Sequence, residues 1–152
     1  MTTEKKTDIN VAIFELRKEV APILSDKTNP MYKSDYATIF QIMKTLDPLF
    51  AKHGLVFYST IDRAEEVWGV LSVLRHVESG TEVRAFFPTD RIGDAQQMGK
   101  LLTYARRYNL AGLLNLCFEN DKDDDDGNGL LPGKKPVKRV EPKPLNNVMA
   151  AL

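Results

Sequence analysis

Apolar side chains recur at helical spacing near the N-terminus, with charged side chains between them. The pattern predicts an amphipathic helix from about Asp8 to Leu24. Its apolar face consists of Ile9, Ala12, Ile13, Leu16, Val20 and Ile23. The next segment, Ser25 to Tyr36, is polar and contains Asn29-Pro30, so we expect a loop there.

A second helix is predicted after this loop. Thr38 with Gln41 forms a capping box, which marks a helix start. We expect Pro48 to kink or divide the helix and Gly54 to cap its C-terminus. The buried stripe would be Ile39, Ile42, Met43, Leu46, Leu49 and Phe50.

Three stretches rich in β-branched and apolar residues follow, joined by short polar links. They predict strands at Leu55–Ile61, Val67–Val77 and Glu82–Phe87. The links Asp62–Glu66 and Glu78–Gly80 are short enough for hairpins. The expected product is a three-stranded antiparallel meander that needs helices on one face.

The strongest helical pattern comes last, from Asp94 to Leu116. Its apolar stripe comprises Met98, Leu101, Leu102, Ala105, Leu113 and Leu116. We therefore predict an α+β fold in which the meander packs on this long helix, a β-β-β-α core, with two helices before it. Residues 1–128 would form this domain, and residues 129–152 a flexible, basic, proline-containing tail.

Charge is balanced overall but segregated along the chain. The 21 basic and 21 acidic residues give a formal net charge of zero. Acids concentrate in a run at 121–126 and bases in the tail, so a DNA-binding surface would require a local arrangement of cations. The single cysteine, Cys117, lies in an apolar stretch and should be buried. No apolar run is long enough for a membrane span, which fits a cytoplasmic protein.

The polar side of the long helix carries the most informative candidate site. At 100° per residue, one arc collects cations, a hydroxyl and an aromatic ring: Gln96, Lys100, Thr103, Tyr104 and Arg107, with Arg106 at the flank. Single-stranded DNA needs this combination, because cations follow its phosphates and an aromatic ring stacks on a base. The alternative is an ordinary solvated face with a packed Tyr104.

Three further groups of residues are weaker candidates for DNA contact. Lys33 lies between two tyrosines, of which Tyr36 is a candidate stacking platform, although both rings could instead anchor the loop on the core. Arg75 and Arg84 lie on adjacent predicted strands and could share a face. The loop residues Arg63 and Arg91 could extend a basic groove. The acids Glu78 and Glu82 are close enough to pair with these arginines instead.

Metal and nucleotide sites fit the sequence poorly. With Gly127 as the glycine of an EF-hand loop, the first ligand position would be Lys122 and the last Gly133, so the match fails. Gly93 and Gly99-Lys100 are spaced wrongly for a phosphate loop, and Leu101 replaces its hydroxyl residue. We expect no catalytic residue, no metal and no cofactor.

Four segments resemble the essential recombination function (ERF) family, in order and at suitable spacing. They are the tyrosine-lysine opening at 32–38, the proline to histidine-glycine-leucine segment at 46–55, Gly99 to Tyr108 with its threonine-tyrosine-alanine-arginine-arginine-tyrosine run, and the acidic close at 123–128. The resemblance covers roughly residues 8–128. The opening departs from the family pattern, because Ser34-Asp35 separates Lys33 from Tyr36.

This resemblance implies a non-enzymatic protein that binds single-stranded DNA and anneals complementary strands without nucleotide hydrolysis. It implies a fold similar to the eukaryotic strand-annealing proteins, assembly into rings or filaments, and a phage or bacterial origin. A partner nuclease or host single-strand-binding protein is left open. Two alternatives also remain open: a metal-dependent nuclease that uses the aspartate run, and a phage module that binds a host protein.

Overall fold

A computed structural model describes residues 7–31, 33–90 and 93–119, which contain three helices and five strands. The helices are α1 (Ile9–Glu19), α2 (Ile39–Lys52) and α3 (Ala95–Leu114). The strands are β1 (Lys27–Asn29), β2 (Ser34–Tyr36), β3 (Leu55–Ala64), β4 (Val67–His76) and β5 (Glu82–Thr89). The described residues belong to one compact unit, Met1–Asp121. The predicted α+β class and the three-stranded antiparallel sheet are confirmed.

The main sheet is an antiparallel meander in the order β3-β4-β5. The β3–β4 hairpin turns within two residues, and Glu65 there has a φ of 54°. Ser72 and Ala85 are paired across β4 and β5 and point to the face that α3 covers. On that face the amide of Asn109 donates to the Val70 carbonyl at 3.1 Å and to the Ser72 hydroxyl at 2.9 Å. This buried polar contact fixes α3 on the sheet.

The core lies where the three helices and the inner face of the sheet meet. It includes Ile9, Ala12, Leu16, Ile42, Leu46, Phe50, Leu55, Leu74, Leu110 and Leu114. On α3 the fully buried positions are Ala105, Leu110 and Leu114, while most of the predicted stripe is only partly buried. The helix was therefore predicted well, but its most buried face is rotated toward Asn109 and Leu110.

The first helix is shorter than predicted and ends at Glu19. Pro22 disfavours helical geometry in the residue before it, so the chain extends from Val20 onward. Ile23, which we expected on the helix, is buried and instead forms a parallel bridge with Phe118. The segment predicted as a loop also contains regular structure, because β1 and β2 pair there as a short antiparallel hairpin.

The second helix is continuous through Pro48 and is not divided. Thr38 caps its N-terminus, with the hydroxyl accepting from the Gln41 amide at 3.2 Å. His53 ends the helix, and Gly54 follows with a φ of 63°, a left-handed conformation that glycine adopts without strain. The predicted N-cap at Thr38 and the predicted role of Gly54 are confirmed, but the return bond of a capping box is replaced, because the Thr38 amide donates to Asp26.

The prediction that Cys117 is buried is wrong, because the side chain is exposed. Asn115 adopts a φ of 46° and ends α3, and the extended chain beyond it alternates with a period of two. Leu116 and Phe118 therefore turn inward and Cys117 turns outward. Within the described ranges, no helix is both long and apolar enough to cross a membrane.

Candidate nucleic-acid interface

The polar ridge of α3 faces a groove rather than open solvent. The opposite wall is built from the β1–β2 hairpin and the first residues of α2. The open groove encloses about 570 Å³. The described residues that line it are Lys27, Tyr36, Thr38, Ile39, Gln96, Gly99, Lys100, Thr103, Tyr104 and Arg107. They include three cations and no carboxylate.

Arg107 occupies the centre of a cluster of tyrosines. Its guanidinium carbon lies 4.7 Å from the ring centroid of Tyr36, 5.5 Å from that of Tyr104 and 4.9 Å from that of Tyr108. One guanidinium nitrogen also donates to the Tyr108 hydroxyl at 3.1 Å. None of the described carboxylates forms a salt bridge with Arg107. The cation is thus oriented by rings, and its charge is available to a phosphate.

Tyr104 and Tyr108 lie one helical turn apart and form an aromatic cluster with Phe87 of β5. The Tyr104 and Tyr108 centroids are 4.5 Å apart, and Phe87 meets the Tyr104 ring edge-on at 5.7 Å. Tyr104 nevertheless remains 49% exposed. The two interpretations of Tyr104 are therefore compatible, because one part of the ring packs and another part faces the groove.

A smaller pocket continues the groove along α3. It shares Tyr36 and Arg107 with the larger one, extends to Ala111 and Phe118, and is also lined by Asp35. From Gln96 to Ala111 the helix rises about 22 Å at 1.5 Å per residue. The Tyr36–Arg107 pair therefore lies where the two pockets join, about three quarters of the way along a channel that follows most of α3.

Two hydrogen bonds of Asp26 hold the hairpin wall against α2. Asp26 accepts from the Thr38 amide and from the Thr38 hydroxyl, each at 2.7 Å. Donation by the Thr38 amide is the main reason why the pKa of Asp26 is lowered. Within the hairpin, the Thr28 hydroxyl donates to Asp35 at 2.6 Å. Both aspartates near the groove thus accept hydrogen bonds from protein groups.

The structure brings together Tyr36, Lys100, Thr103, Tyr104 and Arg107, and it adds Lys27, which the sequence reasoning missed. Lys27 carried no signal, because it belongs to a three-residue polar strand far from α3 in the sequence. Lys33 is exposed near the hairpin turn, with a φ of 50°, and does not line the groove. Arg106 is partly buried and is not among the residues that line the groove.

Arg75 and Arg84 do share a face of the sheet, as expected, but it is the face away from α3. Both pair with Glu82, which is opposite Arg75 in the strand register. Hydrogen bonding to Glu82 raises the pKa of Arg84. The structure therefore does not bring these two arginines to the groove.

The aspartate run, the basic tail, Tyr32 and Arg91 lie outside the described residues. In the part of the chain that is described, no group of three or more His, Cys, Asp or Glu side chains is arranged to hold a metal ion. The described residues therefore offer no metal site for the alternative function, a metal-dependent nuclease.

Comparison with known proteins supplies the family. No curated protein and no solved structure matches the chain. The model of the ERF superfamily matches residues 9–148, which is most of the sequence and includes α1 to α3. The family that the four sequence segments indicated is confirmed, and the chain belongs to the ERF superfamily.

Proposed function

We propose that this protein binds single-stranded DNA in the α3 groove and anneals complementary strands during homologous recombination, without nucleotide hydrolysis. One observation carries the proposal. Lys27, Lys100 and Arg107 line the same groove as Tyr36 and Tyr104, and no described acid lines this larger part of the channel. Asp35 lines the smaller pocket that continues it, where its carboxylate accepts from the Thr28 hydroxyl. Membership of the ERF superfamily is consistent with this function.

The groove chemistry suits a strand bound through its backbone. Lys100 and Lys27 are exposed point charges, and Arg107 offers a planar fork that matches a phosphate. Thr103 is exposed, but its hydroxyl donates to the Gly99 carbonyl at 3.0 Å, so its oxygen faces a ligand mainly as an acceptor. The exposed part of Tyr104 can stack on a base, which every base permits. Binding is therefore expected to be insensitive to sequence.

Annealing follows if base edges stay open to a second strand. The free energy comes from base pairing and stacking between the two strands, so no fuel site is required. The protein contributes by neutralising phosphates and by keeping the first strand extended. Counterions released from those phosphates make the binding depend on salt.

The length of the groove supports assembly of several subunits. A channel of about 22 Å holds at most about six nucleotides at 3.4 Å each. Such a short segment cannot test complementarity reliably, whereas grooves joined end to end can. We therefore include in the proposal a ring or filament of identical subunits, located in the cytoplasm of a bacterial cell.

The deciding experiment follows annealing of two complementary oligonucleotides, one of them labelled, with no nucleotide or divalent metal added. We expect the wild-type protein to accelerate duplex formation and Arg107→Ala to lose most of the acceleration while remaining folded. Arg106→Ala is the matched control, because it removes the same charge one residue away from the groove lining. Unchanged annealing by folded Arg107→Ala would contradict the assignment of the site.

The same samples test the nuclease alternative. Labelled single-stranded DNA is incubated with magnesium or manganese and resolved by length. We expect full-length strands, since the proposed groove binds phosphates without positioning a metal. Shortened products would replace the annealing proposal with an enzymatic one.

A further inference from the structure

The β3–β4 hairpin carries an exposed cation–aromatic pair that the groove does not include. Trp68 is 43% exposed, although tryptophan is usually well buried on average. The guanidinium carbon of Arg63 lies 5.7 Å from the centre of the Trp68 ring. The two residues are directly opposite each other in the strand register, near the hairpin turn.

This pair lies on the same sheet face as the aromatic cluster of the groove. Trp68 is paired with Thr89, two residues along β5 from Phe87. Side chains at such a diagonal are about 7–8 Å apart at their backbones, within reach of aromatic rings. Because Phe87 contacts both Tyr104 and Tyr108, the aromatic cluster of the groove reaches β5 two residues from the strand partner of Trp68.

Among the described residues, the only salt bridge of Arg63 is to the exposed side chain of Glu66. Its guanidinium donates to the Glu66 carboxylate, three residues away in the hairpin turn. The Glu66 side chain is 89% exposed, so this ion pair contributes little and exchanges readily for another anion. A phosphate could replace Glu66 while Arg63 stays over the Trp68 ring.

We propose that Trp68 and Arg63 form a second contact for the bound single strand, beyond the α3 groove. Trp68 stacks on a base and Arg63 binds the adjacent phosphate after release from Glu66. This inference rests on the proposed function, because it concerns the same ligand. It assigns the β3–β4 hairpin to the DNA path, which would otherwise be confined to the α3 groove.

Trp68 is the only tryptophan of the chain, so its fluorescence reports on this contact alone. The full-length protein is titrated with an unstructured oligothymidine of about 15 nucleotides, and binding is followed in parallel by the anisotropy of a label on the DNA. We expect the Trp68 emission to be quenched in step with the anisotropy. Trp68→Ala should weaken binding about 5- to 150-fold, the usual range for one stacked base, and Trp68→Phe should retain most of the affinity.

Two further variants sharpen the test. Phe14→Ala is the matched control, because Phe14 is another exposed ring beneath a cation, Lys18, on a helix that does not line the groove. It should leave the affinity unchanged. Glu66→Gln frees Arg63 and should tighten binding at low salt by up to about fivefold.

The outcomes separate this inference from the proposed function. A rise in anisotropy with constant Trp68 emission, and with Trp68→Ala within twofold of the wild type, overturns the second contact and leaves the groove in place. Loss of binding by Trp68→Ala together with a changed assembly mass in light scattering also overturns it, since Trp68 would then join subunits. No anisotropy change in the wild type refutes the proposed function itself.

Discussion

Replacing Arg107 tests the groove most directly, because the side chain combines a charge with three ring contacts. Arg107→Gln removes the charge and keeps a polar side chain of moderate length. Arg107→Lys keeps the charge but loses the planar fork. The two variants therefore separate the electrostatic role of Arg107 from its geometric role.

The expected magnitudes follow from the lining of the groove. Each phosphate neutralised on a single strand contributes about 0.7 to the slope of log K against log salt. Three groove cations predict a slope of about −2 for one subunit, and Arg107→Gln should reduce its size to about 1.4. Arg107→Lys should keep the slope while weakening binding about three- to tenfold, because the paired hydrogen bonds are lost.

The assay measures the affinity for a labelled oligothymidine of about six nucleotides, the most that one groove is expected to hold. Salt is varied from about 50 to 200 mM, the range in which phosphate contacts dominate the change in affinity. Circular dichroism and thermal unfolding establish that each variant is folded. The ring contacts contribute to stability as well, about 0.5–1 kcal/mol for each exposed one, so a modest drop in the melting temperature is expected.

Arg106→Gln is the control for charge in general. If only Arg107→Gln changes the slope, the groove assignment stands. If both variants reduce it equally, both arginines contact phosphates, as the sequence alone led us to expect. A fall confined to Arg106→Gln would contradict the groove assignment, because the strand would then follow a different side of α3.

Three further outcomes concern the framework of the groove. Asn109→Ala should lower the free energy of unfolding in urea by about 2–4 kcal/mol, since it opens a cavity and removes the donations to the Val70 carbonyl and the Ser72 hydroxyl. Asp26 has a lowered pKa through its bonds to Thr38, so its contribution to stability is present at neutral pH and is lost as the pH falls through that lowered value; Asp26→Asn should flatten this part of an acid titration. Gly69→Ala should destabilise by about 1–3 kcal/mol, because a Cβ there collides with the backbone of β5.

Each of these outcomes has a control. Ser72→Ala removes the hydrogen bonds of Ser72 to Asn109 and to Ser59 without a large cavity and should cost about 1–2 kcal/mol. Glu15→Gln, in an exposed pair with Lys18, should leave the acid titration unchanged apart from its own small effect. Gly99→Ala is the counterpart of Gly69→Ala, because a Cβ at Gly99 meets no atom within 4 Å and a helix favours alanine. A Gly99→Ala variant that is less stable than Gly69→Ala would contradict the packing argument.

The sequence predicted regular elements best where one signal ran unbroken. The long helix α3 follows a period of 3.6, the three strands are rich in β-branched and apolar residues, and both the helix and the meander were found. Errors came where the period changed. Pro22 ends the helical pattern, so Ile23 lies in a β-bridge and not on the helix. The left-handed conformation of Asn115 ends α3, and Cys117 then points outward. These helix ends depend on one or two residues each. A hydrophobic pattern read over ten or more residues does not detect them.

The site was predictable on one wall only. The residues of the α3 ridge lie on one helix by its 3.6-residue period, so the sequence alone grouped Lys100, Thr103, Tyr104 and Arg107. The opposite wall depends on tertiary packing of a hairpin too short to show a pattern, which is why Lys27 was missed. Strand alternation placed Arg75 and Arg84 on one face, but only the packed structure shows which face α3 covers.

The rings around Arg107 also bear on the kinetics of capture. Immobilising a long side chain at an interface costs about 0.5–1.5 kcal/mol, and here the stacking has fixed the guanidinium before any ligand arrives. The Arg107 guanidinium already has the rotamer that binds an incoming strand, so association does not require a conformational change of this side chain. Capture should then be governed by diffusion and charge, and release by how many neighbouring subunits hold the same strand.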